Sequence, residues 1–348
     1  MSRNIRFSQA IQEATDICMA ADPRVYLMGL GVPDPKGMFG TTAGLADKYG
    51  DERVCDMPTS ENGMTGVAIG TTIAGMRPIL AHHRVDFTLL AMEQMVNQAA
   101  KWHYMFAGAL RMPLVVRMLI GRGWGQGPQH AQSLQAWFAH VPGLKVVMPT
   151  TPHDAKGLLI SSIEDDNPVM FLEHRWLHNI VGDVPAGAYR VPIGRARVMR
   201  EGTDVTMVGV SYMALEASRA ADYLADVGVS AEVIDLRSLR PWDEASVLAS
   251  VRKTGRLIVT DTGWSVAGFA AEVLARVLEE GVTLKAPPRR MCLPESPTPS
   301  TPALATRYYP RFTDLVAAAA AMVGVAVPDP PPSSVPLDIP DPAFTGPF

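Results

Sequence analysis

The sequence is poor in the features that tie a chain to nucleic acid, to a bilayer or to a disulfide scaffold. Charge of neither sign dominates: 31 Lys and Arg stand against 35 Asp and Glu, a formal net charge of −4. That is too little to set up a field for a polyanion or an anionic membrane. Cysteine is scarce. Cys18, Cys55 and Cys292 lie far apart and form no C-x-x-C, which argues against a disulfide framework and favours a reduced, cytoplasmic setting. The longest apolar run, Leu315 to Val327, is Ala-rich and too short to span a bilayer; it reads as a buried C-terminal helix. Met1 to Phe7 lacks the apolar region of a signal peptide. Nucleotide signatures are missing as well. Gly121 and Gly123 call for a third glycine at 126, where Gln126 stands, and no Walker lysine follows. His82 and His83 are adjacent on a strand and face opposite sides, a poor chelating pair, so no zinc is expected.

What the chain does have is apolar residues, 47% over 348 positions, enough for two domains with real cores. Residues 5–21 carry Ile5, Ala10, Ile11, Ala14 and Ile17 at helical spacing. Val25 to Gly31 is an apolar run ending in glycine, the pattern of a buried parallel strand. Strand patterns at 78–87, 112–120, 144–148 and 169–173 alternate with helical ones at 61–75, 89–105, 133–140 and 154–163. Such alternation implies an α/β fold with a parallel sheet and helices on both faces. Gly182, Pro185, Gly187 and Pro192 mark a boundary. The expected organisation is a first domain over 1–180, a linker over 181–192, a second α/β domain over 193–325, and a Pro-rich tail over 326–348. No internal repeat is apparent.

The chain is organised around the stretch Asp56 to Gly70, which reads as a strand end, a turn and a helix. Thr59 and Ser60 are N-cap candidates, and Gly75 with Pro78 closes the helix. Glu61 then falls in the first turn, where the helix dipole favours a carboxylate. Gly63, Gly66 and Gly70 lie inside the helix, each costing about 1 kcal/mol against alanine. With Ala74, the last two make one smooth face, which implies a close approach. On the residues alone, a capped helix with a solvated glutamate remains the plainer reading. The Gly121–Gly127 loop ends a strand, where open α/β sheets place ligands, and His130 follows it. The turn Glu164-Asp165-Asp166-Asn167 reads as solvated, with a hard cation as the alternative.

Longer runs carry a resemblance. Gly127-Pro128-Gln129-His130-Ala131-Gln132-Ser133, then Ala136 to Val147, is similar to the beta subunit of thiamine-diphosphate-dependent 2-oxo acid dehydrogenases, the decarboxylase component typified by pyruvate dehydrogenase. Val96 to Lys101, Asp154 to Leu158, Asp235 to Asp243 and Pro294 to Leu304 extend the match, in order, from about residue 5 to 325. The resemblance implies a transketolase-like pyrimidine-binding domain followed by a transketolase C-terminal domain. It implies that Glu61 hydrogen-bonds N1′ of the aminopyrimidine, favouring the imino form that takes the thiazolium C2 proton. It implies that His130 is the active-site histidine that moves protons, and that Asp165 and Asn167 match a turn holding potassium in some members. The family's Gly-Asp-Gly and Asn-Asn grip on magnesium and diphosphate has no counterpart here: Gly50-Asp51-Glu52 stands alone. The other half of the site is therefore expected from an alpha subunit, in a heterotetramer of two alpha and two beta chains.

Three positions depart from the family. Arg84 stands where an aromatic residue stacks on the pyrimidine ahead of Asp86-Phe87, Ala131 where serine is common, and Asp261 where glutamate is usual. An arginine there can stack on a flat ring or meet an anionic substrate, so Arg84 and Phe87 join Glu61 as expected cofactor contacts. The implied activity is decarboxylation of a 2-oxo acid with the acyl unit passed to a lipoyl carrier or another acceptor, without nucleic acid or membrane. The rivals are ketol transfer by a split transketolase and a non-catalytic scaffold.

Overall fold

The computed structural model describes residues 2–123 and 125–327. The first half runs through β1 (Ser2–Arg6), α1 (Phe7–Ala21), β2 (Val25–Gly29), α2 (Leu45–Tyr49), β3 (Val54–Cys55), α3 (Glu61–Ile73), β4 (Arg77–His82), α4 (Val85–Thr88), α5 (Ala100–Met105), β5 (Val115–Ile120), α6 (Gln135–His140), β6 (Lys145–Val147), α7 (Pro152–Glu164), β7 (Val169–His174) and β8 (Val181–Pro185). The second half continues with β9 (Arg197–Arg200), β10 (Val205–Gly209), α8 (Tyr212–Asp226), β11 (Ala231–Asp235), β12 (Ser238–Arg240), α9 (Glu244–Thr254), β13 (Leu257–Trp264), α10 (Phe269–Glu279), β14 (Arg289–Leu293), α11 (Pro302–Ala305) and α12 (Phe312–Val323).

Seven strands form the larger sheet in the order β12-β6-β7-β5-β4-β2-β3, parallel except for β12. Its central strands are buried along their whole length, which is why they read as unbroken apolar runs. Alternate residues serve two cores. Leu27 and Ile79 pack with α1 and α7 on one face. Tyr26, Met28 and Leu80 pack with Ala68 of α3 and with Met95 on the other. The second sheet, β14-β13-β10-β11-β9, is parallel except for β9.

The two halves are tied together. β12, from the second half, pairs antiparallel with β6 at the edge of the first sheet. Gln135 Nε2 donates to Asp261 Oδ1 at 2.7 Å, and Arg237 Nη1 to Asp154 Oδ1 at 2.9 Å. Gln135 and Asp154 belong to the first domain, Asp261 and Arg237 to the second.

Three expectations about secondary structure are corrected. Residues 2–6 form a strand, not the start of a helix, because they pair with β8, Ile5 opposite Gly182. That strand also occupies residues 181–185 of the expected linker. Residues 89–105 are not one regular α-helix: a 3₁₀ turn at Leu89–Ala91 and a π-helical stretch at Gln94–Ala99 precede α5. The tail from 328 onward lies outside the described residues.

Candidate active site

The site is built on the carboxyl edge of the larger sheet. β2 has β3 on one side and β4 on the other, so the chain reverses its direction of travel across the sheet at β2. Ligands of open α/β sheets sit outside such a reversal. Here the edge is drawn together by side chains: Asp56 Oδ1 accepts from Gly31 N at 2.8 Å, and His83 Nε2 meets Leu30 O at 2.6 Å.

Glu61 opens α3, directly after β3 and its turn. Ser60 is the N-cap residue, but its hydroxyl makes no capping hydrogen bond. The positive end of a 13-residue helix is thereby left to the Glu61 carboxylate itself. The residue is only 6% exposed, yet among the described residues no hydrogen bond or ion pair reaches that carboxylate. A carboxylate at a helix start, in a residue otherwise buried and with no partner among the described residues, is free to accept a hydrogen bond from a ligand. Along the same helix, an added Cβ on Gly66 would meet Gln94 Oε1 at 3.5 Å, whereas one on Gly70 would meet nothing within 4 Å. Gly70, Val67 and Ile73 face outward, so within this chain Gln94 covers the smooth face at Gly66 and nothing covers it at Gly70.

Beyond β4, the segment from Arg84 to Phe87 meets the Gly-rich loop that follows β5. Phe87 and His130 contact edge to face, ring centroids 5.4 Å apart. His130 is exposed and Phe87 half-buried. Thus the structure brings Phe87 and His130 together. Glu61 lies on the same sheet edge, across β2, and no hydrogen bond or ion pair links it to either among the described residues.

Arg84 does not offer its guanidinium face as expected. It is 3% exposed, and Nη1 donates to Gly121 O at 2.8 Å. The reason is geometric: β4 and β5 are neighbours, and the arginine reaches across to the first carbonyl beyond β5. Burial pushes its pKa down to about 10.

The acidic turn is where potassium was expected, at Asp165 and Asn167. Asp165 pairs with Lys145, and its Oδ1 accepts from Asn167 N and Nδ2, both at 2.9 Å. Asp166 pairs with Arg77 at 3.1 Å and Arg111 at 2.6 Å. The charge of this turn is taken up by the chain's own cations. Among the described residues no group of three or more His, Cys, Asp or Glu is arranged to hold a metal.

Several residues under the site were not singled out from the sequence. Arg117 and Glu173 form a fully buried pair, Nε to Oε1 2.7 Å and Nη2 to Oε2 3.1 Å, with His178 Nε2 3.2 Å from Oε2. Arg117 holds the Glu173 carboxyl well below its ordinary range, despite burial. Burial keeps His82 and His174 neutral, at about 4 and about 3. Asp86 Oδ1 accepts from Gln132 Nε2 at 2.8 Å, and burial raises its carboxyl. Tyr309 Oη accepts from Arg122 N at 3.1 Å. A charged residue inside an apolar strand, as at Arg117 and Glu173, was the one available signal; the Arg122–Tyr309 contact spans 187 positions and left none.

Known proteins place this geometry. The transketolase pyrimidine-binding domain matches residues 3–179, and the transketolase C-terminal domain matches residues 194–314. The acetoin:2,6-dichlorophenolindophenol oxidoreductase subunit beta of Cupriavidus necator is 42% identical over 330 residues, covering 92% of this chain and 97% of that protein. The mitochondrial pyruvate dehydrogenase E1 component subunit beta-2 of Oryza sativa subsp. japonica is 41% identical over 332 residues, covering 94% of this chain and 88% of that protein. Among solved structures, a split gene transketolase described as an inactive beta4 tetramer superposes with a TM-score of 0.77 at 23% identity, covering 92% of this chain and 99% of that one, a likeness of fold. Both domains in sequence, and two-fifths identity along nearly the whole length, show that the chain belongs to the beta subunits of the thiamine-diphosphate-dependent 2-oxo acid dehydrogenases, within the transketolase-like family.

Proposed function

We propose that this chain is the beta half of a two-chain enzyme that takes carbon dioxide from a 2-oxo acid, pyruvate being the first to test, and passes the acyl unit to a lipoyl carrier. The observation that carries the reading is Glu61: a residue only 6% exposed, at a helix start, whose carboxylate has no partner among the described residues. An aminopyrimidine needs from this chain a carboxyl for its ring nitrogen and an apolar wall, and Glu61 and Phe87 offer these residue types on one sheet edge. When bound, thiamine diphosphate supplies the carbon nucleophile and the electron sink for decarboxylation. Glu61 holds a proton on the ring nitrogen N1′. The exposed His130, braced by Phe87, gives or takes a proton at the substrate's carbonyl oxygen. The diphosphate and its magnesium fall to an alpha subunit. Val67, Ile73 and Gly70 on α3 then belong to the contact between chains in an assembly of two alpha and two beta subunits. A cytoplasmic location is the reading that the three unpaired thiols support, since a reducing compartment keeps thiols free.

The test is Glu61→Gln, reconstituted with the alpha subunit and assayed for 2-oxo-acid-dependent reduction of an artificial electron acceptor. Turnover should fall by a factor of about 100 or more, in the range of a lost proton-transfer group, with the chain's assembly unchanged. Full turnover in the variant would refute the assignment.

A further inference from the structure

The segment from Arg84 to Phe87 does more than brace one ring. The loop after β5 closes on itself where Gly121 N donates to Gln132 O at 3.1 Å. Both residues of that neck are held by the same short segment. Arg84 Nη1 donates to Gly121 O at 2.8 Å, and Gln132 Nε2 donates to Asp86 Oδ1 at 2.8 Å. A third member of the segment, Phe87, meets His130. So residues 84, 86 and 87 touch the two ends of the loop and the histidine it carries.

The segment is itself well placed to act as a fixed anchor. Arg84 is extended, and its carbonyl accepts from Phe87 N at 3.2 Å and Thr88 Oγ1 at 3.2 Å, which sets the turn into α4. Gly121 takes φ +79°, and an added Cβ there would lie 2.5 Å from His174 Nε2, so the neck cannot shift towards β7. On its far side the loop meets the second domain. Arg122 Nη2 donates to Ser300 O at 2.8 Å, and Arg122 N donates to Tyr309 Oη. A Cβ on Gly127 would collide with Ser300 Oγ.

We propose that Asp86, with Arg84, is a positioning residue: the pair clamps the neck of the 121–132 loop and thereby sets where the His130 imidazole stands. This explains why an arginine replaces the expected aromatic side chain at 84. Its guanidinium serves the loop, not a ring. The inference rests on the proposed role of His130 only for its catalytic consequence; the clamp itself is a statement about this chain.

Asp86→Ala removes the acceptor, and Asp86→Asn keeps an oxygen at the same place. Hydrogen exchange of peptides within 121–132, measured on the full chain, should quicken tenfold or more in Asp86→Ala and stay near wild type in Asp86→Asn. Exchange elsewhere in the larger sheet should stay put. With the alpha subunit added, kcat should fall about tenfold or more in Asp86→Ala with KM little changed, because a misplaced group costs the chemical step. The loss should vanish in a His130→Ala background, since two residues acting as a unit are not additive. Should Asp86→Ala fail to fold, Gln132→Leu removes the donor from the other side and should give the same exchange pattern. Unchanged exchange across 121–132 in these variants overturns the clamp, whatever happens to turnover. Quickened exchange with unchanged kcat upholds the clamp and instead refutes the proposed part of His130.

Discussion

Replacing Glu173 by glutamine tests the buried ion pair beneath the site. Glu173 and Arg117 have no solvent exposure, and the carboxylate carries two arginine hydrogen bonds and a contact to His178. The amide keeps the shape and removes the charge. Arg117 is then left as a cation inside a dry sheet, with its Nη1 already lacking a hydrogen-bond partner. Breaking one side of a buried pair costs about 3–5 kcal/mol. In a domain of about 180 residues each kcal/mol lowers the melting temperature by about 2–4 °C, so a fall on the order of 10 °C is expected in a calorimetric scan. The acid limb carries the same information. The Glu173 carboxyl is depressed from 4.5 to about 2, so its stabilisation is fully present above the ordinary carboxylate value and is lost as pH falls from there through the folded value. Glutamine should remove that part of the acid slope. The double variant Arg117→Met/Glu173→Leu should recover most of the loss, because an apolar pair of similar volume needs no desolvation. A melting temperature within 2 °C of wild type for Glu173→Gln, or a double variant less stable than the single, would refute the reasoning.

Other outcomes are expected from the same physics. Asp261 is fully buried against Gln135, and burial raises its carboxyl from 3.8 to about 6, a step worth about 3 kcal/mol. A raised carboxyl loses stability as pH climbs through that interval. Asp261→Asn should therefore raise the melting temperature at pH 8 and change little near pH 4; destabilisation at pH 8 would count against it. Burial pushes the Cys18 and Cys292 thiols up to about 12. In the native chain at pH 8, iodoacetamide should label the half-buried Cys55 first, read by peptide mass spectrometry, whereas urea should equalise all three.

Much of the architecture was legible because burial on both faces writes itself as unbroken apolar runs. β2, β5 and β7 were legible as strands, and the helices between the strands of the first half were legible from their spacing. The start of α3 at Glu61 was legible from the Thr59-Ser60 pair, although the structure shows that Ser60 does not cap through its hydroxyl. What escaped depended on distant partners. Ile5 fits helical spacing as well as strand, and only β8, far along the chain, decides between them. The helical stretch after Leu89 shows its apolar stripe but not its π-helical turn. Arg84 was visible as an exception, yet where its guanidinium goes depends on β5 lying beside β4. The acidic turn read as solvated, and its ion pairs escaped because Arg77, Arg111 and Lys145 are far from it in sequence.

The three residues of β12 deserve a last consequence. They are donated by the second domain and cover the backbone of β6, the outermost parallel strand of the first. Splitting the chain at the domain boundary would strip that cover and leave a row of unmatched amides and carbonyls, an invitation to stack with other copies. The first domain produced by itself is thus predisposed to precipitate. The same pairing bonds one half to the other, so moving them apart would first have to break it.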